Sequence, residues 1–173
     1  NGDYAGFEAR TGGSQKWFIG LRETSDDNLH FYDPNGTAGD RFVLDSNSRI
    51  SLSNNDSGTD NTILGKQAGN AIANGGNYNT MLGRSAGLSV TTGDQSVYVG
   101  TYAGLFNVTG NSNTAIGYAS QYGVSTNSHA GNTSVGYESL KALTTGDYNT
   151  AIGYQALDSV TTGAYNIGIG ESG

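Results

Sequence analysis

The sequence has no cysteine and only one proline among its 173 residues. Without thiols there can be no disulfides and no thiolate metal sites. One proline beside 28 glycines excludes a collagen helix, which needs strict glycine triplets and abundant proline. Charged residues make up 13 % of the chain, about half the usual share. No basic patch interrupts the net charge of −7, which argues against a nucleic-acid partner or an anionic membrane surface. No apolar run approaches the roughly 20 residues of a membrane span, so membrane insertion is not expected. No signal peptide is evident and the first residue is Asn1. The chain is therefore expected to be a processed product or part of a longer one.

Asn, Ser and Thr supply the polarity that charge does not. Such residues solvate a surface without mutual repulsion, and they form side-chain ladders when identical units stack. Aliphatic and aromatic residues recur among them at a fixed interval. Glycines close the blocks NTILG, NTMLG, SVYVG, NTAIG, NTSVG, NTAIG and NIGIG at Gly65, Gly83, Gly100, Gly117, Gly136, Gly153 and Gly170. The spacings are 18, 17, 17, 19, 17 and 17 residues. A period of this length marks a solenoid or array.

Other positions keep the phase. The residue before each anchor is aliphatic: Leu64, Leu82, Val99, Ile116, Val135, Ile152 and Ile169. Three residues after it stands a small one: Ala68, Ala86, Ala103, Ser120, Ser139 and Ala156. Ten residues after it comes Gly75, Gly93, Gly110, Gly146 or Gly163, with Asn127 in the longest unit. Gly and Asn tolerate positive φ, so these read as corners.

Seventeen residues are too few for two helices and fit two short strands with two corners, the second strand lying around Val90, Leu143 or Val160. Stacked units pair their backbones at about 4.8 Å per rung. The expected fold is all-β: a small N-terminal β-meander over 1–60, then a parallel β-roll or β-solenoid over 61–173. The aliphatic column is expected to form its buried core. Each rung then buries two or three apolar side chains at about 1.5–3 kcal/mol each, against an ordering cost of about 1–2 kcal/mol per residue. A lone coil is marginal, and self-association along the axis is expected; a homotrimer is the obvious solution, but this arithmetic does not choose three copies over two.

Residues 1–60 lack the period and hold ten of the fifteen acidic residues. Strands are expected at Lys16–Leu21, Asn28–Tyr32, Arg41–Leu44 and Arg49–Leu52, with turns at Ser25–Asp27, Asp33–Gly36 and Asp45–Ser48. Residues 53–60 form a polar junction.

The blocks Asn149-Thr-Ala-Ile-Gly-Tyr-Gln-Ala-Leu157 and Thr161-Thr-Gly-Ala-Tyr-Asn166 resemble repeats of bacteriophage tail fibres and tail spikes, proteins that often end in a self-cleaving intramolecular chaperone. They are also similar to the head repeats of trimeric autotransporter adhesins, although the unit here is longer. Trp17–Leu21 through Arg41–Asp45 is similar to the sheet segment that often precedes such repeats in phage fibres. The resemblance implies a trimeric, extracellular virion fibre that attaches to a host-surface glycan or protein alongside other tail-fibre parts. A polysaccharide depolymerase and a bacterial surface adhesin are the alternatives. No chaperone segment follows Gly173, so further rungs, a binding tip or a removed chaperone are expected beyond it.

Catalytic signals are sparse, and neither enzyme activity nor a cofactor is expected. His30 lies in a strand candidate and His129 in the insertion of the 19-residue unit; both read as structural. Gly-x-Ser-x-Gly is absent. Asp94, Glu138, Asp147, Asp158 and Glu171 are the only acids of the repeats, and Asp94 and Asp147 sit at corners. Asp26-Asp27 and Asp56 to Asp60 lack any calcium-loop pattern and read as solvated turns. The tyrosines are the candidate binding residues. Tyr118, Tyr137 and Tyr154 follow anchor glycines, while Tyr78, Tyr148 and Tyr165 stand next to the strand-opening Asn. In stacked rungs they align, either as glycan-stacking faces or as a stabilising aromatic ladder.

Overall fold

The computed structural model describes residues 5–11, 14–21, 29–33, 39–44, 50–51, 58–72, 75–124 and 127–171. These residues are all-β, with no helix among them. The chain divides into two compact units, Asn1–Asn55 and Asp56–Gly173.

The first unit is a five-stranded antiparallel meander of β1 (Ala5–Thr11), β2 (Ser14–Leu21), β3 (Leu29–Asp33), β4 (Gly39–Leu44) and β5 (Ile50–Ser51), in that order across the sheet. The four expected strands are there. β1 is an addition that its sequence, Ala-Gly-Phe-Glu-Ala-Arg-Thr, does not announce, since only Phe and Thr favour strands. Pairing with β2 from Ala5↔Leu21 to Thr11↔Ser14 supplies what local preference lacks. His30 stands in register between Gly20 and Val43. The turn stretches around Asp26-Asp27, Pro34 and Ser46 lie outside the described residues.

The second unit is a parallel solenoid. Its one sheet stacks β6 (Thr62–Leu64), β7 (Thr80–Leu82), β8 (Val97–Val99), β9 (Thr114–Ile116), β10 (Thr133–Val135), β11 (Thr150–Ile152) and β12 (Ile167–Ile169) in chain order. The register keeps equivalent residues in line, as in Thr133↔Thr150 and Val135↔Ile152. Each rung contributes one strand, not two. The stretch around Val90, Leu143 and Val160 is a run of tight turns. There the backbone N–H of Val90 donates to Gly87 at 3.1 Å and that of Leu143 to Leu140 at 3.2 Å. Alternate N–H groups reach the next rung instead, such as Ser89 to Leu105 at 3.0 Å.

The aliphatic column is not the interior. In a three-residue strand the middle side chain points one way and its two neighbours the other. The middle residues of the five inner strands, Met81, Tyr98, Ala115, Ser134 and Ala151, are buried, with Ile63 and Gly168 at the same position on the outer strands. Leu64, Leu82, Val99, Ile116, Val135, Ile152 and Ile169 therefore face outward. Leu64 is 63 % exposed, Ile116 38 % and Ile152 40 %. The small column is buried instead, from Ala68 through Ser120 to Ala156, and forms the wall opposite the sheet.

Interior volume is shared between two positions. In the first three rungs the strand supplies a large side chain, Ile63, Met81 or Tyr98, and the residue four after the anchor is Gly69, Gly87 or Gly104. A Cβ on Gly69 would come within 2.7 Å of Ile63 Cδ1, and one on Gly87 within 2.6 Å of Met81 Sδ. In the next three the strand supplies Ala115, Ser134 or Ala151 and the opposite position is Gln121, Leu140 or Leu157. Two apolar clusters result. One centres on Met81, Val90 and Tyr98, the other on Leu140 and Leu143.

Three corner glycines, Gly93, Gly110 and Gly146, owe their identity to contact rather than to φ, whereas Gly75 has a φ of +106° and only ordinary van der Waals contact around it. A Cβ on Gly93 would come within 2.7 Å of the Gly110 carbonyl oxygen, and Gly110 and Gly146 are closer still to the next rung. Positive φ also occurs at the anchors, from +123° at Gly170 to +143° at Gly136, and at many non-glycine residues.

Candidate functional site

Two internal ladders of side chains hold the rungs in register. The strand-opening Asn runs through the interior. The Asn79 N–H donates to Asn61 Oδ1 at 2.8 Å, Asn149 to Asn132 at 2.8 Å and Asn166 to Asn149 at 2.9 Å, with Ser96 standing in the same column. The amides of Asn79, Asn132 and Asn149 also reach corner carbonyls, such as Asn79 Nδ2 to Gly93 O at 2.8 Å. These groups are buried, so the bonds remove what would otherwise be a desolvation cost of about 1–3 kcal/mol each. The second ladder lies at the corners. Asp94 Oδ1 accepts from the Asn77 N–H at 2.7 Å, Asp147 Oδ1 from Ala130 at 2.7 Å and Asn111 Oδ1 from Asp94 at 2.8 Å. Asp94 and Asp147 thus hold backbone.

The other repeat carboxylates are engaged separately or lie at the end. Glu138 accepts from Lys141 Nζ at 2.7 Å and from Gln155 Nε2 at 3.0 Å. Those bonds hold its carboxyl below the usual range and push the Lys141 ammonium up. Asp158 accepts from Ser159 Oγ at 3.0 Å, and Glu171 is exposed on the last described rung. Among the described residues no group of three His, Cys, Asp or Glu could hold a metal. Among the described residues there is no helix long and apolar enough to cross a membrane.

His129 is buried in the longest rung. Its ring Nδ1 lies 3.5 Å from Asn132 Nδ2. Burial pushes the imidazole down to about 4, against a weaker upward pull from Asp147. Nearby, Ser120, Ser134 and Ser139 are joined through their hydroxyls. His129 Nε2 and Gln121 Oε1 have no protein partner among the described residues. This polar belt separates the two apolar clusters.

The tyrosines align as the repeat predicts. Tyr118, Tyr137 and Tyr154 are stacked with centroids 5.2 Å apart and planes 11° and 7° from parallel. Tyr148 and Tyr165 stack at 5.2 Å and 19°. At that spacing each ring covers its neighbour's face, and no sugar fits between them. The aromatic ladder is therefore the arrangement present. Tyr137 has a ring stacked on each of its two faces, and its remaining surface is exposed. Crowding and the Glu138 carboxylate push its phenol up.

The stack ends at an edge-on ring that the sequence did not single out. Tyr102 meets Tyr118 at 5.9 Å and 75°, and Tyr122 at 6.2 Å and 84°. Phe106 meets Tyr122 at 5.3 Å and 90°. Arg84 lies beside Tyr102, with Cζ 5.3 Å from the ring centroid and Nη1 donating to Tyr102 Oη at 2.7 Å. Tyr102 stands two residues after its anchor rather than one, so a search for residues following the anchor passes over it.

The outer face of the solenoid sheet is one continuous surface. It carries the aliphatic column and, two residues earlier on each strand, Thr62, Thr80, Val97, Thr114, Thr133, Thr150 and Ile167. Neither column contains a charge.

These features define a parallel β-solenoid repeat protein with a β-meander unit. No family model, no curated protein and no solved structure matches the chain.

Proposed function

We propose that the chain is a structural and receptor-binding segment of a trimeric bacteriophage tail fibre, attached through its solenoid to further copies of itself. The uncharged outer sheet face carries this reading. Seven rungs present Thr, Val or Ile beside Leu, Val or Ile on the outer face, on a protein whose net charge of −7 comes from other positions. Exposed apolar patches of this continuity mark association sites. A parallel copy offers the same columns at the same rung spacing, so apolar residues meet apolar residues along the whole length. Threefold packing and virion location follow from the resemblance of the repeats to fibre sequences. The locked carboxylates at Asp94, Asp147 and Glu138 favour a binding and structural role over glycan hydrolysis.

The test is Ile116→Asp with Ile152→Asp, read by light scattering and circular dichroism. These side chains point outward, so the expected result is a folded monomer where the parent protein is a trimer. A parent protein that is monomeric at micromolar concentration, or a double variant that stays trimeric, overturns the assembly. Antibodies to the chain that label virion tail fibres in electron micrographs would establish the location, and labelling elsewhere would refute it.

A further inference from the structure

The solenoid has few cations, and two of them occupy one slot on adjacent rungs. Lys66 and Arg84 each follow an anchor glycine. Their rungs are bonded to each other, with the Ser85 N–H donating to the Lys66 carbonyl at 2.9 Å. Both are exposed, and neither is in an ion pair among the described residues. The remaining solenoid lysine, Lys141, is paired with Glu138. Like charges held on adjacent rungs repel each other. This acidic chain has carboxylates to spare, yet none among the described residues neutralises this pair.

Arg84 is also pre-positioned. Its bond to Tyr102 Oη and its place beside that ring fix the guanidinium, and the Tyr102 ring is itself braced edge-on by Tyr118 and Tyr122. One of five N–H donors is used, and the other four have no partner among the described residues. A fixed, exposed guanidinium with free donors suits bidentate binding of a carboxylate, and prior immobilisation lowers the entropy lost on binding. The aromatic group beside it suits the C–H face of a sugar ring.

We propose that Lys66, Arg84 and Tyr102 form a binding site for a carboxylate-bearing sugar unit of a polysaccharide. This deepens the host-glycan part of the proposed function and rests on that reading. The Tyr118–Tyr154 stack braces the site, and glycan contact shifts to its cationic end.

The assay is binding to immobilised polygalacturonate, dextran sulfate and neutral dextran, with light scattering on the same samples. Polygalacturonate is expected to bind best, neutral dextran not at all, and added salt to weaken binding. Arg84→Gln should weaken polygalacturonate binding about tenfold, and Lys66→Gln with Arg84→Gln should abolish it. Lys141→Gln should leave it unchanged. Both cations are exposed, and unchanged circular dichroism confirms that the variants fold. Equal binding of dextran sulfate, equal binding of neutral dextran, or full binding by the double variant overturns the proposal. Loss of the trimer with polyuronate binding intact would count against the fibre assembly alone, and the opposite pattern against this site alone.

Discussion

The first three rungs of the solenoid and the next three fill the same interior from opposite sides. Ile63, Met81 and Tyr98 reach across from the sheet to a glycine, whereas Gln121, Leu140 and Leu157 reach back from the far wall to Ala115, Ser134 and Ala151. The backbone barely changes between the two. Gly69, Gly87 and Gly104 have φ of 56°, 58° and 59°, and Gln121, Leu140 and Leu157 have 48°, 50° and 52°. Left-handed backbone costs an ordinary residue about 1–2 kcal/mol, so the later rungs accept strain that the earlier ones avoid. Stacking demands one backbone path and one rung volume, and it leaves open which position supplies the volume. The changeover falls at the longest rung, where the polar belt around His129 lies.

The sharpest way to break this comparison is to put both large residues in one rung. Gly104→Leu drives a side chain into the Tyr98 ring and adds left-handed strain, so a loss of about 4 kcal/mol is expected in chemical denaturation. Adding Tyr98→Ala converts the rung to the later type and should recover more than half of that loss. If the double variant is less stable than Gly104→Leu alone, the volume-sharing account fails.

Acid should find the seam between the halves. The folded-state pKa of His129 lies at about 4 and the unfolded value at about 6.5, so the unfolded chain binds the proton first. The stability from the neutral ring is present above about pH 6.5 and is lost as pH falls towards 4, by about 3 kcal/mol. Denaturation curves across that window should show the loss, and His129→Gln should flatten this part of the profile. An unchanged slope in the variant would assign the acid response to other groups.

Leu140→Gly makes a later rung resemble an earlier one without its large strand residue. Emptying the core costs about 2–5 kcal/mol and relief of strain returns about 1–2, so a net loss of about 2 kcal/mol is expected in thermal melts. The smallest effect belongs to an exposed left-handed residue outside the interior. Ser112→Gly, at φ 57°, should be neutral to stabilising by about 0.5 kcal/mol. A clear loss there would mean that the side chain has a role that φ does not describe.

The repeat, its 17-residue unit and the meander of the first unit were legible because anchors, corners and strand residues recur in plain view. Burial was misread at one column for an identifiable reason. Leu64 through Ile169 are uniformly aliphatic and so look like a core, while the true interior column runs Ile, Met, Tyr, Ala, Ser, Ala, Gly and looks random. Its partner four residues after the anchor varies in the opposite sense, and only the pair together reveals the pattern. The tyrosine columns followed from the period, but the close stacking that closes the Tyr137 faces followed from the rung repeat. Tyr102 and its guanidinium were hidden one residue out of phase.

The amino-acid sequence by itself determined the period, the stacking of equivalent residues and the glycines at which backbones approach, because each of these depends on what recurs. Only the tertiary structure decided which face of the three-residue strand lies inside. Strand alternation permits either choice, and the outcome depends on closing the coil around the summed volume of two positions far apart in the rung, which no single column of the repeat records.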